Sequence, residues 1–278
     1  MNKGLVIFTI ILLFLTIVLL VGVLFVSING GRVFEGFSIE LGKDCEKVVD
    51  ETFEIEDFDD VDINIDAANV EVVESEDNKV KVEIYAKNKE DYNVSIEDRK
   101  LVVKEITRNK IRFSLGEKNK RVIVSLPKGY ANKMDIKTDA GNVKVASFEE
   151  ASININTDAG NIDLGKNNDV TIKTDAGNIK IEESKKIEIK TDAGNVKVGK
   201  VTEKIKVKVD AGNVTVEEAD LKADSSIETN FGNINIEKKN DLNIETKTDA
   251  GKVNVENNNR KADVTLNIES DCGNINVK

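Results

Sequence analysis

Histidine and tryptophan are absent from this 278-residue chain. Without histidine there is no imidazole base for catalysis near neutral pH and no ordinary zinc site. Aromatic residues make up only 5%, which argues against a sugar-stacking groove or a base-stacking platform. Positive charge is also short: 40 Lys and Arg against 51 Asp and Glu leave a net charge of −11. Phosphate binding needs the opposite balance, so nucleic acid is excluded as a partner and an anionic membrane surface is disfavoured. Cysteine occurs twice, as Cys45 and Cys272 near opposite ends of the folded part. A disulfide between them is one reading, and two small buried thiols are the preferred one.

What is present begins with a long apolar run. Residues 4–28 carry no charge and are dominated by Ile, Leu, Val and Phe, enough to cross the hydrocarbon core of a bilayer. No small-residue cleavage site stands after the run at VSINGG, and Cys45 lies too far on for lipoprotein processing. Residues 1–29 are therefore expected to be an N-terminal anchor, one transmembrane helix contacting the lipid bilayer through 4–28. Lys3 before the run and Arg32, Lys43 and Lys47 after it do not decide the orientation. The short tail before the run favours a signal anchor, a single pass through the cell membrane with the C-terminal domain extracellular.

Residues 30–54 read as an acidic linker. Between Asp44 and Asp66 stand eleven acids and one lysine, a density typical of a solvated tether. From 55 to 130 come short segments of alternating polarity such as VKVEIYA (80–86), KLVVKEI (100–106) and RVIVSL (121–126), each the mark of a half-buried strand. They form an N-terminal β region containing the start of a repeat array, since DAANVEV (66–72) is a worn copy of TDAGNVKV (138–145) with Ala68 in the glycine's place.

Residues 131–278 are the main part of that array. Gly141, Gly160, Gly177, Gly194, Gly212, Gly232, Gly251 and Gly273 recur at intervals of 17 to 22 residues, mostly inside the motif T-D-A-G-N-[V/I]-x-[V/I]. Two and four residues after each glycine the chain is apolar, as in Val143/Val145 and Ile179/Ile181, and the residue between is polar. Five residues before it stand Ile136, Ile155, Ile172, Ile189, Val207, Ile227, Thr246 and Ile268. Each unit is a strand, a corner, a strand and a charged loop. At the corner Asp can accept a backbone hydrogen bond, Gly supplies positive φ and Asn tolerates a left-handed conformation. Corners about 18 residues apart suit an all-β parallel solenoid, each coil stacking about 4.8 Å from the last. A β-propeller competes, but its blades need about 40 residues; a run of hairpins would not keep one residue type in one column.

The anchor, the strand region ending in VSLPKG and the T-D-A-G-N repeats together resemble a bacterial putative-adhesin β-strand-repeat family over roughly residues 55–278. That resemblance implies a right-handed single-stranded β-solenoid and a membrane-anchored surface protein.

Three readings compete for the column Asp139, Asp158, Asp175, Asp192, Asp210, Asn230, Asp249 and Asp271. Each Asp caps its own corner, or the column is a calcium ladder, or two members act as acid and base of a glycosidase. The cap is preferred, and catalysis is disfavoured because acid and base need different surroundings, whereas the repeat gives every coil the same one. Thr138, Thr157, Thr174 and Thr191 could present hydroxyls at an ice-lattice or ligand spacing, and bonding to the corner backbone is the preferred reading. Lys137, Lys144, Lys173, Lys180, Lys190 and Lys197, with nearby Glu, read as a solvated face or a weak docking surface for anionic wall polymer. No catalytic, cofactor-binding or metal residue is assigned. The function expected is a non-enzymatic, membrane-anchored surface protein, an adhesin-like scaffold or binding module for the cell envelope, with cell-wall polymer or an envelope protein as partner. The alternative is an envelope-stress or sensory accessory acting through its membrane helix; a carbohydrate-active β-helix enzyme is disfavoured.

Overall fold

The computed structural model describes residues 45–77, 79–106 and 119–278, and the backbones of strands Arg32–Phe34, Phe37–Leu41 and Ile111–Leu115. The apolar run 4–28 lies outside the described residues. Among those described, no helix is long and apolar enough to cross a membrane.

The chain divides into two compact units. In the smaller, Phe37–Leu41 pairs antiparallel with Arg32–Phe34 and parallel with Ile111–Leu115. The larger comprises Glu46–Ile106 and Asn119–Lys278 and is built around one long sheet of mostly parallel strands.

The parallel stack arises from the alternation in the sequence. Side chains on a strand point alternately to opposite faces, so Ile172, Ile179 and Ile181 turn inward at 0–1% exposure while Lys173 and Lys180 stay outside. Register then sets like on like: Ile155 pairs with Ile172, Ile172 with Ile189, and Ile189 with Val207. Each buried Ile or Val contributes about 1.5–3 kcal/mol. One coil buries its apolar side only against its neighbours, so the array stabilises as a stack.

Spatial order departs from chain order at both ends. Strand Ser225–Phe231 pairs with Thr265–Cys272, and only then does Thr265–Cys272 pair with Asn243–Ala250. The last coil in the chain is thus an interior coil, and the coil before it (243–255) closes the stack. A crossing segment, 256–264, steps over that end. Within it the Asn258 side chain accepts from the Ile244 N–H and donates to the Ile244 carbonyl, both at 2.9 Å, which blocks part of an open strand edge. At the other end, coil 60–74 stacks directly on coil 133–145, and strands from between them in the chain pair with its far side. There Lys100–Glu105 lies parallel to Asp60–Ala67 and Arg121–Leu126 parallel to Asn69–Glu74. Antiparallel strands Tyr92–Glu97 and Val80–Ala86 finish this end.

The acidic stretch differs from expectation. Within the segment read as a linker to residue 54, Glu46–Phe53 is a strand pairing antiparallel with Val80–Ala86, and Val49 is buried at 3% exposure. Its acids survive in a strand because they face outward beside cations: Lys47 lies 2.5 Å from Glu83 and 2.9 Å from Asp50. The hydrogen bond from Lys47 holds the Glu83 carboxyl below the usual carboxylate range.

Candidate functional site

Stacking turns each repeat position into a column running along the corner edge of the rod. The glycine column is the tightest. A Cβ on Gly177 would sit 2.0 Å from the Gly160 carbonyl oxygen, and one on Gly194 the same distance from that of Gly177. Gly177 also has φ of +143°, a region that side chains rarely enter. Backbone approach and backbone conformation therefore both demand glycine at this corner.

The polar cap comes from asparagine, not from aspartate. Asn142, Asn161, Asn178, Asn195, Asn213, Asn233 and Asn274 come directly after the glycines. Their backbone N–H groups each donate to the side-chain oxygen of the asparagine one coil earlier, at 2.8–3.1 Å. The first acceptor is Asn69 of the worn copy, and the last donor is Lys252, bonded to Asn274 at 2.9 Å. None of these asparagines is among the non-glycine residues with positive φ, so the expected left-handed role is corrected. The signal was in the sequence, an Asn after seven of the eight glycines, but its meaning depends on having a coil stacked next to it.

Thr138, Thr157, Thr174 and Thr191 are buried, and each hydroxyl donates to the alanine carbonyl two residues on, at 3.3–3.4 Å. Thr229 and Ser270 instead reach the carbonyls of Gly212 and Gly232 in the adjacent coil. These hydroxyls are tied to backbone and do not face a ligand.

The aspartate column lies on the outside. Asp139, Asp158, Asp175, Asp192, Asp210 and Asp249 are exposed and Asp271 is half-buried. Among the described residues none of them accepts a corner N–H; Asp210 receives only the Asn230 amide, at 3.5 Å. The preferred cap reading is corrected on this point: the strand parity that turns Thr inward turns Asp into water. No group of three or more His, Cys, Asp or Glu side chains placed to hold a metal occurs among the described residues. Cys272, expected as a buried thiol, is exposed at the corner, and Cys45 is half-buried.

The lysines flank this edge in two columns. Lys137, Asn156, Lys173, Lys190 and Lys208 lie on one side, and Lys144, Asp163, Lys180 and Lys197 on the other. Lys208 reaches Glu228 at 3.4 Å and Lys197 reaches Glu217 at 2.7 Å. Lys200, farther round the coil, bonds Glu183 at 2.9 Å and holds that carboxyl below its usual range. Exposed pairs of this kind contribute about 0–1 kcal/mol each, so they add little to the stability of the stack.

A sequence profile for Toastrack DUF4097 matches residues 58–278, the whole stack from its first coil onward. The chain belongs to the Toastrack DUF4097 family. A similar fold recurs in solved structures. One is a putative adhesin from Bacteroides fragilis, 16% identical, with a TM-score of 0.56, covering 85% of this chain and 100% of that one. Another is a putative lipid binding protein from Parabacteroides distasonis, 14% identical, with a TM-score of 0.50, covering 86% and 100%. At these identities the likeness is one of fold. Among curated proteins no match was found.

Because aspartate does not cap the corner, Asp175→Asn with Asp192→Asn is expected to leave the melting temperature unchanged or slightly higher, by relieving like charges stacked about 4.8 Å apart. Calcium is expected to add no more than general screening does. A saturable rise at micromolar calcium, lost in the double variant, would restore the calcium-ladder reading.

Proposed function

We propose that this Toastrack protein is a non-enzymatic binding module of the cell surface. It is held at the membrane by a transmembrane helix over residues 4–28, with the coiled domain outside. The observation that carries the proposal is the arrangement of polar groups on the rod. Inward hydroxyls are bonded to backbone, while charged and amide side chains form regular columns along the outside. Repetition gives successive carboxylates like surroundings, whereas acid–base chemistry needs a pair set apart. A rod with ordered outer columns suits attachment. Both relatives in fold have names that speak of attachment, one as an adhesin and one as a lipid binder. The proposal includes a right-handed hand for coils of about 18 residues, and wall polymer or an envelope protein as the partner class.

Protease added to intact cells is expected to degrade residues 30–278 and to leave the anchor in the membrane. Protection in whole cells, with digestion only after lysis, would place the domain on the other side. The chain, solubilised in detergent, should also capture material from its own envelope fraction; failure to retain any would sink the binding-module reading.

A further inference from the structure

The outer columns are not uniform along the rod, and three of them change within the same few coils. Three residues beyond the glycine the column runs Glu71, Lys144, Asp163, Lys180, Lys197. It then continues as Thr215, Asn235, Asn276, Asn254, with neither charge nor apolar side chain. In the exposed corner column Ala140, Ala159, Ala176, Ala193 and Ala211 give way to Phe231, which pairs with Cys272. Phe231 is 62% exposed, the most of the exposed large apolar residues among those described. Beside it, Asn230 replaces the aspartate of the neighbouring coils. Coil 265–278 inserts between coils 225–238 and 243–255, so Asn276 lies between Asn235 and Asn254.

We propose that this patch, with Phe231 as its apolar platform and the Thr215–Asn235–Asn276–Asn254 column as its polar lattice, binds an uncharged polysaccharide chain. The inference rests on the binding-module reading above and names the ligand class. An anionic polymer or lipid headgroup finds no cation at these four positions, and the nearest cation in the column, Lys197 beside Thr215, is already paired with Glu217 at 2.7 Å. A stable protein partner needs a broad apolar centre rich in aromatics, and here one aromatic side chain projects alone. A neutral sugar polymer matches both features. Its C–H face packs on the ring of Phe231, and its hydroxyls, each donor and acceptor, pair with amides, which are also both. The amides have capacity to spare: the Asn235 side chain bonds no protein group among the described residues, and in the Asn254–Asn276 pair (3.0 Å) one oxygen and one amide nitrogen stay available. Lattice positions about 4.8 Å apart along the rod are close to the length of one pyranose ring, so successive sugars meet successive coils.

The test is native gel electrophoresis of the full-length chain in detergent, through gels carrying hydroxyethyl cellulose, laminarin, soluble starch, galactomannan or anionic alginate, with phosphatidylcholine vesicle flotation beside it. Expected is retardation by at least one neutral polymer, weakened about tenfold in Phe231→Ala and in Asn235→Asp, and unchanged in Lys173→Glu. Phe231 is exposed, so its truncation leaves the fold intact, which the melting temperature checks. Retardation by none of the neutral polymers, or equal retardation of Phe231→Ala, overturns the proposal. Retardation by alginate alone also overturns it, and Phe231-dependent vesicle binding reassigns the patch to lipid. Capture on envelope fractions separates the two levels. If Phe231→Ala is captured as well as wild type, this site fails and the module reading stands; if wild type is not captured, the module reading itself fails.

Discussion

Replacing Gly177 by Val is expected to cost about 2–6 kcal/mol of stability, from about 1–3 for the backbone conformation and about 1–3 for overpacking. The source is the 2.0 Å separation that a Cβ would have from the Gly160 carbonyl oxygen. The neighbouring coil cannot retreat cheaply. Gly160 donates its own N–H to Ala176 at 3.0 Å, and Ile162 donates to Asn178 at 2.9 Å, so the corner is pinned on both sides of the clash. Gly177→Ala should also destabilise, because the clash arises at Cβ itself. Lys180→Gln is the control: Lys180 is exposed and 3.6 Å from Asp163, and its loss should stay within about 0.5 kcal/mol. The denaturation midpoint of each variant is the measurement. An unchanged midpoint for Gly177→Val would mean that the glycine column is not stacked at contact distance.

The second large effect tests the order of the coils. Ile275 and Val253 occupy the same column, but Ile275 is 1% exposed between Ile234 and Val253, whereas Val253 is 44% exposed on the closing coil. Ile275→Ala is therefore expected to cost about 2–5 kcal/mol, and Val253→Ala less than about 1 kcal/mol. Stacking in chain order would predict the opposite ranking, with Ile275 on the open end and Val253 enclosed. The difference of one methylene between Ile and Val contributes only about 0.8 kcal/mol, too little to mimic the expected gap. Equal costs, or a larger one for Val253→Ala, would refute the crossed order. Deleting residues 265–278 should likewise expose the inner faces of two coils and take the C-terminal third of the stack with it.

The strands, the inward columns and the corner glycines were legible in the sequence because each depends on local chemistry. Alternation assigns a side chain to a face wherever the strand ends up, and Ile172 is an inward residue in any coil that uses it. The glycine is required by positive φ at Gly177, a property of one residue, and its recurrence at 17 to 22 residues marked out the stack. The worn copy DAANVEV was equally readable, since Ala68 and Asn69 occupy the positions of a corner and do the work of one. Residues 46–53 were misjudged because composition outweighed pattern: a run of acids looks like a tether until Lys47, and Lys81 at 3.1 Å from Asp50, stand beside it.

What the tertiary structure decided is which coil lies on which. Every copy presents nearly the same strand edge, so pairing with the next coil in the chain holds no energetic advantage over pairing with the one after. The nine residues 256–264 are long enough to step across, and the crossed order is set by the ends. The closing coil carries Thr246 where the others have Ile or Val, and Lys252 where they have Asn. Along the chain these are random losses; in space they belong to a coil with no further repeat coil beyond it among the described residues. An exposed position does not need Ile, and the last rung of an amide ladder has no further N–H to receive. The same dependence explains the corner. Asp and Asn are both short polar residues beside a glycine, and only the stacked neighbour determines that the Asn oxygen meets an N–H while the Asp carboxylate meets water.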